Sequence, residues 1–207
     1  MLEQNHIDDK YKAIAEKIIA MKNADLAIRD KLVKSGLLSK GYHDEMKEMH
    51  NKNALELNEI IDDIGYPTVD KVGKEASEAS WLVIQHAIGQ PTFMKKCLLL
   101  LERAVNECKA DIIDLAHLKD RILVFQERPQ YYGTQYDWDE NGELSPNIMD
   151  DAVKVDERRK SIGLNSIEEQ TKVIRNHAKL EKQTPPEDFE KRKQEIEAWK
   201  IEVGWKI

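Results

Sequence analysis

The chain has 207 residues, of which 41% are hydrophobic and 34% charged, and a formal net charge of −7. Leu, Ile and Val recur at helical spacing throughout, which excludes global disorder and supplies one substantial core. The acidic balance excludes broad, sequence-independent binding to nucleic acid, because neutralising phosphates takes clusters of Lys and Arg that are not outnumbered locally.

The first helix is predicted from about Asp8 to Lys34, where Tyr11, Ile14, Ile18, Ile19, Met21 and Leu26 lie among charges. Ser35-Gly36 stops it as a glycine C-cap does. A second runs from about His43 to Asp63, with Leu55, Ile60, Ile61 and Ile64 on one stripe, and ends at Gly65-Tyr66-Pro67, where proline forbids continuation. From Gly73 to Ile88 the pattern becomes apolar on nearly every side around Trp81-Leu82-Val83-Ile84, so this helix is expected at the centre. Pro91 suits the first turn of the next helix, which fades near Cys108. Another covers about Ala110 to Phe125, and the short connections imply antiparallel neighbours.

Residues 130–147 break the helical period. Asn141-Gly142, between Tyr136-Asp137-Trp138 and Glu143-Leu144, predicts a hairpin turn. Asp150 or Asp151 caps a short helix with Val153, Val155, Arg158 and Arg159 that Gly163 terminates. Two more helices are predicted, about Ser166 to Glu181 and Pro186 to Val203. The last aligns Phe189, Ile196, Trp199 and Val203, a stripe that either packs on the body or meets a partner, a second copy of the chain included. The expected architecture is mainly α, an antiparallel helical bundle with one small β-hairpin near residues 130–147. Its expected organisation is an N-terminal helix (1–40), a core helical domain (41–165) and a C-terminal helical extension (166–207).

Cys97 and Cys108 are too few for a disulfide framework and form no CxxC pair, so both are expected to be reduced. Residues 1–10 lack a signal peptide's basic start and apolar stretch, and no apolar run approaches a membrane span, so a cytoplasmic protein with no membrane contact is expected. The six histidines form no HxxxH or HExxH pair and no Cys/His cluster has ligand spacing, so no metal and no cofactor are expected. GxxxxGK[ST], GxGxxG and GxSxG are absent.

His86 shares the helical face of Leu82 and Val83, and burial obliges each ring nitrogen to find a partner. The neighbouring Gln85 makes the same demand, so the pair implies a polar pocket or, in the plainer reading, a structural histidine bonded to a carbonyl. Asp120 and Arg121 diverge around their helix and each seeks its own partner. Arg121 can grip a phosphate or carboxylate in bidentate fashion, and Asp120 can orient His86 or Arg159; a surface ion pair with Asp114 or Arg158 is the alternative. In an extended strand Gln130, Tyr132 and Thr134 share one face while Tyr131, Gly133 and Gln135 take the other, which makes a polar comb for a ligand or a hairpin tied down by tyrosine hydroxyls.

Gly65-Tyr66-Pro67, Gln85-His86-Ala87, Asp120-Arg121, Gln130-Tyr131-Tyr132-Gly133-Thr134-Gln135 and Val155-Asp156-Glu157-Arg158-Arg159 with Gly163-Leu164 occur in this order. Together they resemble a bacterial domain family of unknown function from about Asn53 to Leu164, marked by G-W-P, Q-H-A, D-R, Q-x-Y-G-T-Q and V-D-x-R-R-x-x-G-L motifs. Tyr66 stands where tryptophan is usual and His117 where tyrosine is expected. The resemblance implies that Gln85, His86, Asp120, Arg121, Gln130, Tyr132, Gly133, Thr134, Gln135 and Arg159 form a shared polar centre, and it brings no established activity. The expectation is a metal-independent hydrolase or lyase with His86 as general acid or base and Asp120 beside it. Gln85, Arg121, Gln130, Tyr132, Thr134, Gln135 and Arg159 are then expected to bind a small anionic metabolite. The alternative is a non-catalytic module that sequesters a ligand or engages a protein.

Overall fold

The structure, a computed structural model, describes residues 9–36 and 42–206. It forms two compact units that divide between Asp111 and Ile112. The described residues are mainly helical, with nine helices and a single two-stranded antiparallel sheet.

The first unit holds α1 (Asp9–Lys34), α2 (Asp44–Ile64), α3 (Val69–Val72), α4 (Lys74–His86) and α5 (Pro91–Asn106). On α1 the buried positions are Ile18, Met21, Asp25 and Leu32, separations of three, four and seven that keep one stripe facing inward. Helix α2 turns His50, Asn53, Ala54, Leu57, Ile60, Ile61 and Ile64 inward. It stops at Gly65, whose φ of +72° suits glycine and whose N–H donates to the Ile61 carbonyl. The segment after Pro67, legible only as a turn, forms the short α3. Helix α4 packs against α1, α2, α3 and α5, the central position its apolar turns predict. Leu57, Ile84, Met94, Cys97 and Leu101 are all fully enclosed. Each such aliphatic side chain contributes about 1.5–3 kcal/mol relative to exposure.

The second unit holds α6 (Ile112–Phe125), β1 (Tyr136–Trp138), β2 (Leu144–Pro146), α7 (Ala152–Ser161), α8 (Ile167–Leu180) and α9 (Phe189–Val203). The strands pair Tyr136 with Pro146 and Trp138 with Leu144, around the predicted Asn141-Gly142 turn. Asp139 fastens that turn, with its Oδ1 accepting from the Asn141 and Glu143 amides. Residues 131–135, expected to alternate as a strand, are irregular, and Gln130 makes a single bridge to Met149. The comb therefore does not form, because the amides of that segment are drawn to a side chain rather than to a neighbouring strand. Asp151 caps α7, and Ser166 with Glu169 forms a full capping box on α8. Trp199 meets Phe125 edge-on at a centroid distance of 5.6 Å, and Trp205 stacks on it at 5.0 Å, so the C-terminal aromatics pack on the end of α6. Among the described residues no helix is long and apolar enough to cross a membrane.

Candidate functional site

In the first unit three helices bring together Asp25 from α1, His50 from α2 and His86, the last residue of α4. Asp25 is 1% exposed. Its Oδ2 accepts a hydrogen bond from His86 Nδ1 at 2.7 Å. His50 Nε2 lies 3.2 Å from the same oxygen, close enough for attraction when charged but out of line for a hydrogen bond. Asp25 Oδ1 and His50 Nε2 are both buried and have no hydrogen-bond partner. On its other side His50 Nδ1 shares a 2.8 Å hydrogen bond with the Tyr42 hydroxyl, whose direction follows the ring's tautomer. The imidazoles of His50 and His86 lie 4.8 Å apart between centroids. One ligand atom from each of Asp25, His50 and His86 falls within 4.8 Å of the other two.

The electrostatics follow from this enclosure. Burial alone raises the Asp25 pKa, but the two imidazoles outweigh it and hold the carboxyl well below its usual range. Burial first, and the Asp25 charge second, push Tyr42 above the ordinary phenol range, so it keeps its proton as a hydrogen-bonding partner of His50. His86 is different in one respect: 29% of its side chain is exposed, so its ring reaches from the buried carboxylate to solvent. The arrangement can hold and orient an imidazole, and two nitrogens with a carboxylate oxygen can also ligate a divalent transition ion.

Gln85 is half-buried beside His86 in the first unit. Asp120, Arg121, Gln130, Tyr132, Thr134, Gln135 and Arg159 belong to the second unit, where they organise one loop. Asp120 is fully buried. Its Oδ1 accepts from the Tyr131 and Tyr132 amides at 2.7 and 3.0 Å. Its Oδ2 accepts from the Thr134 amide at 2.9 Å and the Thr134 hydroxyl at 3.1 Å. Gln130 ties the loop's ends: its Oε1 accepts from the Gln135 amide at 2.7 Å, and its Nε2 donates to the Gln135 and Asn147 carbonyls at 3.0 Å each.

Arg159, 1% exposed, grips the loop through its carbonyls. It donates through Nη1 to Tyr132 O at 2.8 Å and Gly133 O at 3.3 Å, and through Nε and Nη2 to Asn165 O and Oδ1 at 2.6 and 3.0 Å. Arg121 Nε donates to Gln135 Oε1 at 3.1 Å. A carboxylate thus gathers the amides of Tyr131, Tyr132 and Thr134 while a guanidinium gathers the Tyr132 and Gly133 carbonyls, so the second-unit members of the predicted set meet around the chain's own backbone, whereas Gln85 and His86 lie in the first unit. Asp120, expected to orient His86, is committed to this loop, and the carboxylate that meets His86 is Asp25.

Sequence reasoning did not bring Asp25, His50 and Tyr42 together around His86. A signal existed for the first two: Asp25 falls four residues after buried Met21 and seven before buried Leu32, and His50 falls four before buried Ala54. Each is an ionisable residue in phase with an apolar stripe, which demands a partner.

The class that fold and site define is an all-α protein with a minor β-hairpin, carrying a buried carboxylate between two imidazoles. A match to a family described as a family of unknown function (DUF6624) spans residues 12–182, and the chain belongs to that family. The match reaches further toward both ends than the motif-bearing segment. No curated protein and no solved structure matches the chain.

Proposed function

We propose that the protein is a small-molecule enzyme, a hydrolase or lyase, whose reactive centre is His86 positioned by Asp25. The observation that carries the proposal is the 2.7 Å hydrogen bond from His86 Nδ1 to a carboxylate that is itself 1% exposed, on an imidazole that still reaches solvent. A buried carboxylate fixes the ring's orientation and tautomer and leaves Nε2 as the working nitrogen, the arrangement a general acid or base requires. Asp25 takes the orienting role expected of Asp120.

The anionic substrate expected from Arg121 and Arg159 is not part of this proposal. Arg159 directs four hydrogen bonds at Asn165 and the loop carbonyls, and Arg121 donates to Gln135. For the polar residues of the second unit, these contacts favour a structural role. A homo-oligomer through α9 is likewise not carried forward, since Trp199 and Trp205 pack on Phe125.

The test is to incubate wild-type protein and His86→Asn with a metabolite extract and follow consumption and product formation by untargeted mass spectrometry. The expected result is a compound consumed by the wild type and spared by the variant, with both proteins folded by circular dichroism. Equal consumption by both, or none by the wild type, overturns the proposal.

A further inference from the structure

We propose that Asp25, His50 and His86 form a binding site for one divalent transition-metal ion of the zinc class. This inference rests on the reading of the same cluster as the reactive centre and names its cofactor. The three ligand atoms, two imidazole nitrogens and a carboxylate oxygen, lie within 4.8 Å of one another. Two nitrogens and one oxygen suit zinc and its neighbours rather than magnesium or calcium, which take oxygen ligands. Three protein ligands leave further positions for water, the pattern of a reactive rather than a structural zinc site.

Two further observations point the same way. Buried polar atoms are normally hydrogen-bonded, yet Asp25 Oδ1 and His50 Nε2, on side chains 1% and 6% exposed, have no hydrogen-bond partner. A metal ion answers both at once, taking the nitrogen lone pair and the carboxylate charge. The second is the Tyr42 hydroxyl on His50 Nδ1 at 2.8 Å. With Nδ1–H donating to that oxygen, Nε2 presents its lone pair to the cluster, and metal-bound histidines characteristically have their remaining nitrogen held in this way. Exposure of His86 gives the ion a route in from solvent. A bound ion would supply water activation by lowering the pKa of a coordinated water; His86 would then act as a ligand to it, and the proton-carrying role proposed above would belong to the metal-free protein.

The experiment uses the full, untagged chain stripped by a chelator, titrated with Co²⁺ by visible absorption and with Zn²⁺ by calorimetry. The expected result is one ion per chain, with zinc displacing cobalt. Asp25→Ala and His50→Ala each weaken binding by well over tenfold, and Tyr42→Phe weakens it about tenfold, as loss of a ligand-orienting partner does. His177→Ala, a change at an exposed histidine outside the cluster, leaves it unaltered. Wild-type affinity no better than that of Asp25→Ala, or absence of saturable binding, overturns the inference. Should Asp25→Ala fail to fold, the wild-type stoichiometry and Tyr42→Phe decide the matter. His86-dependent turnover that persists in stripped protein unable to bind zinc sinks the metal site and leaves the enzyme proposal standing. Tight zinc binding that depends on Asp25, without turnover of any compound, does the reverse.

Discussion

Asp120 Oδ2 accepts from both the backbone amide and the hydroxyl of Thr134, at 2.9 and 3.1 Å, while its Oδ1 holds the amides of Tyr131 and Tyr132. One buried carboxylate therefore does for the amides of Tyr131, Tyr132 and Thr134 what a neighbouring strand does elsewhere. Asp120→Asn replaces one accepting oxygen with an NH₂ group that faces donors. Leaving buried donors unsatisfied costs about 1–3 kcal/mol each, so a loss of about 2–4 kcal/mol is expected. Urea denaturation of wild type and variant measures it; a change below about 0.5 kcal/mol, the range of an ordinary surface substitution, contradicts the clasp.

Gly133 sits in the same loop at φ +64°, and a Cβ there falls 2.5 Å from Ile167 Cδ1 and 2.6 Å from Met149 Sδ. Gly133→Ala combines left-handed backbone strain with two steric conflicts, and a loss of at least about 1–3 kcal/mol is expected. A thermal melt that does not move would show that the loop adapts more readily than its enclosure implies.

Arg159→Lys separates a structural from a ligand-binding guanidinium. Lysine keeps the charge but cannot reproduce the fork that meets Asn165 on one side and the Tyr132 and Gly133 carbonyls on the other. The expected effect is a lower melting temperature, equivalent to about 2–3 kcal/mol for lost charge-assisted bonds, in the absence of any ligand. Unchanged melting would return Arg159 to the list of anion-binding candidates.

The two cysteines are expected to behave oppositely. Cys97 is fully buried and burial pushes its pKa up to about 12, whereas Cys108 is exposed. Native protein at pH 8 should therefore take up one equivalent of a thiol reagent, and two after denaturation. The raised pKa also fixes the sign of a pH effect. The unfolded thiol ionises near its ordinary value of 9.0 while the native one resists until about 12, so the stabilisation is complete below pH 9 and declines through that window. Cys97→Ala should flatten this alkaline decline in melting temperature; an identical slope in both proteins would exclude Cys97 as its source.

His86→Asn is expected to abolish turnover of the compound that the wild type consumes, a fall of at least about 100-fold for loss of general acid–base catalysis. Asp25→Asn keeps a hydrogen-bonding oxygen beside Nδ1 but removes the charge that orients and stabilises the ring. Its kcat should fall with little change in KM. A variant that changes KM alone would place Asp25 in substrate binding and not in positioning His86.

The sequence by itself determined where helices start and stop, because those signals are local: Ser35-Gly36, Gly65-Tyr66-Pro67, Pro91 and Asp151 act within one turn of themselves. It also marked His86 and the Asp120 to Gln135 set as residues in need of partners, and the hairpin turn at Asn141-Gly142. Who the partners are was decided by tertiary structure. Asp120 takes the amides of a segment whose alternating side chains suggest a strand, so the extended pattern gives way to a loop. Asp25 meets His86 across 61 residues of chain, through the packing of α1 against α4, and no spacing rule reaches that far. Apolar periodicity records which face of a helix turns inward, but a buried charge on that face acquires its meaning only from the helix that packs opposite.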